Sequence, residues 1–282
     1  MSKKINDYEI VCPRVGSGKK EWKGMDLFDI QYWVMACLGK RRSGKTSLIY
    51  TLIKAFTTKN YKFIFFVPTF WKDDSYEVIR NFLDKKKIPY QDFQSIEEDG
   101  VNNLDVVMKV LEEKDPLSGN KDEEEGKEEI KGGACFGPSN RIQRGVEKDG
   151  KKEVEKDSSS KIENEWFIIF DDISTEIRNK AVLKLCKNSR HYKAKIILST
   201  QSITDLHPHI FNQLDYVAVF KNFNLDALKQ LYERIDPNMS YEQFVNIYRE
   251  ITDKVDRRGH SPFMLIDRPN NKIRENLNIL IE

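Results

Sequence analysis

Short runs of consecutive apolar residues recur along the chain, and between them apolar residues appear at every third or fourth position. An unbroken apolar run is typical of a strand buried on both faces of a sheet, and the spaced pattern is typical of a helix with one buried face. The runs predict strands at 32–38, 63–67, 89–93, 166–170, 195–201, 216–220, 263–266 and 279–281. The spaced pattern predicts helices at 48–56, 75–84, 104–111, 177–186, 225–235 and 240–251. This alternation predicts an α/β fold with a mostly parallel central sheet flanked by helices.

The apolar pattern also divides the chain. Residues 1–30 are interpreted as an N-terminal arm, and residues 31–282 as one domain. Within that domain, residues 112–162 are rich in charge, contain few apolar residues and show no periodicity. Such a segment cannot bury enough apolar area to offset the entropy of ordering it. We therefore expect a long, largely disordered charged insertion there.

Composition narrows the classes of function only slightly. The 282 residues carry a net charge of +2, so any nucleic-acid surface has to be a local patch. Cys12, Cys37, Cys135 and Cys186 lie far apart and form no metal-binding or disulfide pattern. Two of them, Cys37 and Cys186, fall on apolar faces and are expected to be reduced core residues, in agreement with a reducing compartment such as the cytosol. No apolar stretch is long enough to span a bilayer, and the first residues lack an apolar signal region.

Residues 39–47 fit the phosphate-binding pattern G-x-x-x-x-G-K-[ST] and lie between a predicted strand and a predicted helix. The two glycines can adopt positive φ and allow close approach, so that backbone amides surround a polyphosphate beside a helix N-terminus. Lys45 is placed to reach the β and γ phosphates of ATP, and the Thr46 hydroxyl to ligate Mg²⁺. The nucleotide-binding candidates are Gly39, Lys40, Arg41, Arg42, Ser43, Gly44, Lys45, Thr46 and Ser47. For the basic residues at 40–42, a solvated rim is at least as good an interpretation as direct phosphate contact.

Hydrolysis needs further groups, and two later strands end in suitable ones. Asp171 ends an apolar strand and is the candidate outer-sphere partner of Mg²⁺, while Asp172 is the candidate base for the attacking water. Gln201 ends the next strand and could hold that water or sense the γ phosphate, with Thr200 as the second candidate. Lys45, Asp172 and Gln201 are thus the catalytic candidates. The alternative for Asp171 and Asp172 is that they only mark an ordinary transition from strand to loop. The alternative for the end of the next strand is that its polar residues precede a helix N-cap at Ser202 or Thr204.

An arginine would complete the charge stabilisation of phosphoryl transfer. The candidates for such a finger or sensor are Arg178, Arg190 and Arg274, and the pattern alone does not choose among them. The four histidines show no metal-ligand spacing.

Together, the glycine loop, the paired acids and the strand ending in Gln201 resemble P-loop NTPases of the additional-strand type. The order of further segments resembles the FtsK–HerA superfamily, most closely the poxvirus-type genome-packaging ATPases of nucleocytoplasmic large DNA viruses and virophages. The segments that carry this resemblance are Ser189-Arg190-His191, Asp205-Leu206-x-Pro208 and Asp267 followed by Arg274-Glu275-Asn276. It covers residues 30–111 and 165–280. The chain departs from the pattern in its Asp172, where many relatives have Glu, in its long insertion and in its modest charge.

The resemblance implies Mg²⁺-dependent ATP hydrolysis in a homo-oligomeric ring that moves double-stranded DNA into a capsid. Contact with DNA would be to the backbone and independent of sequence. Lys72, Lys85, Lys86 and Lys87 are candidates for loops that contact DNA. A capsid component is an implied partner, no membrane-spanning segment is expected, and the implied locations are the host cytoplasm, in a viral factory, and the virion.

Three alternatives remain open. A GTPase or nucleotide switch would need an Asn-Lys-x-Asp motif, and the nearest match, Asn212-Gln213-Leu214-Asp215, lacks the lysine. A small-molecule kinase would need an arginine-rich lid and leaves the Gln201 strand unexplained. A helicase-like protein or a virion assembly factor could use the same nucleotide site without packaging DNA.

Overall fold

The computed structural model describes residues 21–113, 164–173, 176–221, 223–254, 262–277 and 279–281. The first 20 residues of the predicted arm lie outside this part of the chain. So does the predicted insertion at 112–162, apart from two residues that end a helix. Both domain assignments therefore stay predictions.

The described residues form one nine-stranded sheet and a separate pair of two-residue strands. In chain order the strands are β1 Val34–Leu38, β2 Tyr61–Phe66, β3 Tyr90–Phe93, β4 Glu97–Glu98, β5 Val101–Asn102, β6 Glu165–Asp171, β7 Ala194–Thr200, β8 Tyr216–Val219, β9 Met264–Asp267, β10 Lys272–Glu275 and β11 Ile279–Ile281. The large sheet has the order β11-β10-β9-β8-β1-β7-β6-β2-β3. The strands predicted at 89–93 and 279–281 are both confirmed, whereas strand β10 and the pair β4–β5 were not predicted.

Strand direction divides this sheet into two parts. The six strands from β8 to β3 are parallel, whereas β9, β10 and β11 extend the β8 edge as antiparallel neighbours. Strand β7 lies between β1, which precedes the glycine loop, and β6, which ends in Asp171. This inserted strand defines the additional-strand type of P-loop NTPase, so the predicted fold class is confirmed.

Six α-helices in the described residues cover the two faces of the sheet. They are α1 Lys45–Phe56, α2 Asp74–Lys86, α3 Asn103–Glu113, α4 Lys180–Lys187, α5 Leu225–Ile235 and α6 Tyr241–Thr252. One apolar core holds the buried residues of α1 and α2, and the other holds those of α3, α4, α5 and α6. Alternate residues of β1 enter opposite cores, Ala36 one and Cys37 the other, which explains the unbroken apolar runs. None of the helices in this part of the chain is long and apolar enough to cross a membrane.

Two further features belong to the core. Cys37 and Cys186 are buried and free. Residues 21–30 pack on the sheet through Phe28, whose ring is fully buried and stacks on Tyr216 with ring centroids 3.9 Å apart. This segment therefore closes the face of the sheet that α1 covers.

Candidate nucleotide-binding and hydrolysis site

The candidate site residues collect at the carboxyl ends of three adjacent strands. The glycine loop follows β1, the two acids stand at the end of β6, and Thr200 and Gln201 stand at the end of β7. Because these strands are parallel neighbours, their carboxyl ends meet at one edge of the sheet. Residues more than 100 positions apart in the chain are thereby brought to one place.

The two motif glycines are needed for different reasons. Gly44, at the N-cap of α1, has φ of +100°, a conformation that favours glycine. Gly39 does not have positive φ. A Cβ at Gly39 would lie 2.7 Å from Cβ of Phe220 and 2.7 Å from Oγ of Ser43, so this position requires a residue without a side chain. The expectation of positive φ thus holds for Gly44, whereas Gly39 allows the loop to approach β8.

The Lys45 ammonium lies against the loop that precedes it. Its Nζ donates to the carbonyl oxygens of Gly39, at 2.6 Å, and Lys40, at 2.9 Å. Burial lowers the pKa of Lys45, and the Asp171 carboxylate acts in the opposite direction. These two bonds hold the positive charge of Lys45 beside the glycine loop, where it can neutralise the charge of a bound phosphate group.

Thr46 and Asp171, the two candidate partners of Mg²⁺, are neighbours. The Thr46 hydroxyl lies 3.5 Å from Oδ2 of Asp171, and the same oxygen accepts a 2.7 Å hydrogen bond from the hydroxyl of Tyr76. Burial raises the pKa of Asp171, while the neighbouring hydroxyls of Ser199 and Tyr76 and the Lys45 ammonium lower it. The carboxylate is thus a buried group with several polar neighbours that favour its charged form.

The donor set fits a magnesium ion that arrives with a nucleotide. A hydroxyl and a carboxylate are hard oxygen ligands, and Mg²⁺ commonly combines one or two such groups with substrate phosphates and water. Across the described residues there is no group of three or more His, Cys, Asp or Glu side chains that could hold a metal by themselves. The protein groups present therefore suit a metal site that phosphate oxygens complete.

Asp172 and Gln201 are joined directly. Nε2 of Gln201 donates to Oδ1 of Asp172 over 3.1 Å, and Nη2 of Arg41 lies 3.6 Å from Oδ2 of the same residue. Asp172 has φ of +60°, which is uncommon for a residue other than glycine and turns the chain sharply after β6. Two candidate catalytic side chains from neighbouring strands therefore form one hydrogen-bonded pair.

Thr200, the second candidate beside Gln201, has its hydroxyl among groups of the turn that follows β7. Its hydroxyl, with a single proton to donate, lies 2.9 Å from Oδ2 of Asp205 and 2.7 Å from the carbonyl oxygen of Ser202, so it helps to hold the turn after β7. The turn is a 3₁₀ segment, Ile203–Asp205, and Ser202 is its N-cap. The N-cap expected at Ser202 or Thr204 is thus formed by Ser202.

An open cavity of about 740 Å³ adjoins the glycine loop, a size within the usual range for small-molecule sites. The residues that line it include Phe220 and Phe263, whose ring centroids are 5.1 Å apart, and Asn276, whose Oδ1 accepts from the backbone N–H of Phe263. Sequence reasoning did not identify these three residues. Phe220 and Phe263 stand at the ends of apolar runs and have the pattern of ordinary core residues.

The three candidate arginines occupy different places. Arg178 is exposed in the segment between β6 and α4, on the edge that carries the site. Arg190 precedes β7, at the opposite edge, with a side chain that is 71% exposed and 3.8 Å from Asp215. The prediction that Arg274 is a finger or sensor is corrected, because its guanidinium is ion-paired with the fully buried Asp267 and donates to the carbonyl oxygen of Leu27. These contacts give the side chain a structural role within its own chain and keep it from reaching a nucleotide.

Replacing Arg274 by alanine is expected to lower the free energy of unfolding by about 3 kcal/mol, because it leaves the buried Asp267 carboxylate without its countercharge. Denaturant unfolding measures this loss. Arg190→Ala is the matched control, and because the Arg190 side chain is 71% exposed and 3.8 Å from Asp215, a change below about 1 kcal/mol is expected. Unchanged stability of Arg274→Ala together with a selective loss of ATP hydrolysis would instead restore Arg274 as a finger candidate.

The four candidate DNA-contacting lysines do not form one patch. Lys72 is exposed in the segment that precedes α2, whereas Lys85, Lys86 and Lys87 are exposed at the end of that helix. A helix of 13 residues is about 20 Å long, so the two groups lie at opposite edges of the sheet. That each of these lysines lies in a loop that contacts DNA stays a prediction.

Comparison with known proteins finds few sequence relatives. No protein-family model matches the chain. Over 74 residues, 25% of this chain, it is 38% identical to a protein of Invertebrate iridescent virus 6 described as "Uncharacterized protein 075L". That match spans 29% of the viral protein, so most of its length has no counterpart in the comparison.

Solved structures give wider but more distant matches. The genome packaging NTPase B204 of Sulfolobus turreted icosahedral virus 2, in complex with ATP-gammaS, is 15% identical with a TM-score of 0.48, over 89% of this chain and all of that chain. The DNA-packaging ATPase B204 of Sulfolobus Turreted Icosahedral Virus is 15% identical with a TM-score of 0.49, over 88% and 98%. ATPases 2 and 3 of EssC from Geobacillus thermodenitrificans are 11% identical with a TM-score of 0.44, over 86% and 38%.

Proposed function

We propose that this protein hydrolyses ATP at the carboxyl edge of β1, β6 and β7 and uses that hydrolysis to move double-stranded DNA. The observation that carries the ATPase proposal is the meeting of Lys45, Thr46 and Asp171 beside the hydrogen-bonded pair of Asp172 and Gln201. A phosphate cradle and a candidate water-activating pair in one place are what phosphoryl transfer to water requires.

Each residue has a role in this reaction. The amides of the loop and the first turn of α1 bind the phosphates, and the Lys45 ammonium neutralises charge on the β and γ groups. Thr46 and Asp171 would hold Mg²⁺, which when bound neutralises phosphate charge and fixes the geometry of the γ phosphate. Asp172 accepts a proton from the attacking water, and Gln201 orients that water and the Asp172 carboxylate. The ribose and base would lie in the cavity against Phe220, Phe263 and Asn276.

The position of Asp215 argues against the GTPase alternative. Asp215 precedes β8, and its carboxylate accepts from the backbone N–H of Val34 at the start of β1. This places it at the amino edge of the sheet, whereas the glycine loop follows the carboxyl end of β1. A base bound beside the loop is therefore out of its reach.

Translocation rests on the sequence resemblance together with the site. In a ring, a nucleotide lies between neighbouring subunits and a neighbour supplies the finger arginine. Arg190 suits that role because it is exposed at the edge opposite the site of its own chain, and Arg178 suits a sensor within the chain. The packaging of viral DNA into a capsid, with the host cytoplasm and the virion as locations, completes the proposal.

The experiment that tests this function is ATP hydrolysis by the full-length protein with and without double-stranded DNA, at several salt concentrations and under conditions that permit oligomers. We expect double-stranded DNA of any sequence to raise the hydrolysis rate, and the stimulation to fall as salt displaces backbone contacts. Equal rates with and without DNA would contradict translocation while leaving the ATPase intact. Absence of any Mg²⁺-dependent hydrolysis would contradict the ATPase itself.

A further inference from the structure

Tyr76 brings a buried hydroxyl to Asp171 from helix α2, an element that carries no residue of the phosphate-binding motif. Its side chain is 1% exposed, and its hydroxyl donates to Oδ2 of Asp171 over 2.7 Å. The hydroxyl of Thr46 lies 3.5 Å from the same oxygen. Two hydroxyls, one from each of the helices α1 and α2, therefore converge on one carboxylate oxygen of the candidate metal site.

Packing explains the ring of Tyr76 but not its hydroxyl. The ring lies among apolar aromatic residues, with centroids 5.4 Å from Phe70 and 6.3 Å from Phe65, and a phenylalanine would fill the same space. A hydroxyl buried there costs free energy unless it is hydrogen-bonded. Its acceptor is the Asp171 carboxylate, so the reason for a tyrosine at this position lies in what the hydroxyl does to Asp171.

We propose that Tyr76 is a positioning residue: by holding Oδ2, its hydroxyl sets the orientation of the Asp171 carboxylate toward the Mg²⁺ that accompanies ATP. This inference rests on the proposed function. A carboxylate at the end of a strand can rotate about its side-chain bonds, and a hydrogen bond from a fixed donor removes that freedom. Groups that orient metal ligands in this way commonly change metal affinity by about 10- to 100-fold when they are removed.

The test measures metal binding instead of turnover. Affinity for a fluorescent ATP analogue is followed as free Mg²⁺ is raised, for the wild type, Tyr76→Phe and Tyr232→Phe. The control removes a comparable hydroxyl bond, from Tyr232 on α5 to the carbonyl oxygen of Met239, among residues that do not line the cavity. We expect Tyr76→Phe to need about tenfold more Mg²⁺ for half-maximal effect. Without metal, Tyr76→Phe should bind the ATP analogue as tightly as the wild type does. Tyr232→Phe should need the same Mg²⁺ concentration as the wild type for half-maximal effect.

An unchanged Mg²⁺ midpoint in Tyr76→Phe, with a wild type that responds to Mg²⁺, would overturn the positioning role alone. A wild type whose affinity does not respond to Mg²⁺ would overturn the metal site of the proposed function, and this inference with it. Should Tyr76→Phe fail to fold, 3-fluorotyrosine at position 76 keeps both the ring and the hydroxyl. Its ¹⁹F resonance is then expected to shift when Mg²⁺ is added to the nucleotide complex, and a constant resonance would overturn the proposal.

Discussion

Replacing Lys45 by alanine is expected to weaken ATP binding by about 100-fold and to abolish hydrolysis at ordinary ATP concentrations. The ammonium donates two hydrogen bonds within the loop and supplies a partly buried positive charge. Two charge-assisted bonds to phosphate oxygens contribute about 3 kcal/mol together, which corresponds to that factor. Equilibrium binding of a fluorescent ATP analogue measures the loss, first in the presence and then in the absence of Mg²⁺.

The control for this substitution is Lys54→Ala, which removes an exposed lysine from the same helix. Its ammonium lies over the Tyr50 ring and lines no part of the cavity, so ATP binding should stay at the wild-type level. Thermal unfolding of both variants separates loss of affinity from loss of fold, because Lys45 also ties the loop through Gly39 and Lys40. Tight ATP binding by a folded Lys45→Ala variant would contradict the assignment of the glycine loop.

The sequence predicts two kinds of site residue correctly in position: those of the phosphate-binding motif, and those that directly follow a strand of the parallel sheet. Gly44, Lys45 and Thr46 are consecutive residues where the loop joins α1, so the chain itself keeps them together. Asp171 and Gln201 follow apolar runs, and a parallel sheet brings the ends of adjacent strands together whatever their separation in the chain. These contacts therefore follow from topology, without any knowledge of how individual side chains pack.

The parts that could not be predicted depend on packing between distant elements. Tyr76 fits the apolar face of a helix, and nothing in that pattern says that its hydroxyl meets Asp171. Arg274 has the pattern of a surface residue, yet it neutralises the buried Asp267 across a hairpin. The same holds for Lys195 at the start of β7, a fully buried lysine whose ammonium donates to the hydroxyl of Tyr61.

Burial at this position makes the Lys195 ammonium easier to deprotonate. Burial lowers the pKa of Lys195 to about 8, and the Glu165 carboxylate opposes that shift. Lysine and arginine are mostly exposed in proteins, so the residue type predicts the wrong environment for both Lys195 and Arg274. Sequence reasoning therefore succeeds where backbone topology places the residue, and fails where the position of a side chain depends on which partner lies across the core.

Replacing Asp172 by asparagine is expected to lower the rate of ATP hydrolysis by about 1,000-fold, within the range that a general base contributes. Asparagine has nearly the same shape and keeps an oxygen that can accept from Nε2 of Gln201, but it cannot take a proton from water. The phosphate cradle and the pair of Thr46 and Asp171 remain intact. ATP affinity should therefore stay at the wild-type level, and single-turnover hydrolysis measured beside equilibrium binding separates the two effects.

Two further variants serve as a control and as a comparison for Asp172→Asn. Asp226→Asn changes an exposed acid in the first turn of α5 and should leave both hydrolysis and binding unchanged. Gln201→Ala removes the partner of Asp172 but not its basicity, so it should slow hydrolysis by less than Asp172→Asn does. Hydrolysis by Asp172→Asn at the wild-type rate would exclude Asp172 as the base. A loss of ATP affinity as large as the loss of rate would instead assign Asp172 to nucleotide binding, because only an interaction specific to the transition state lowers the rate while binding persists.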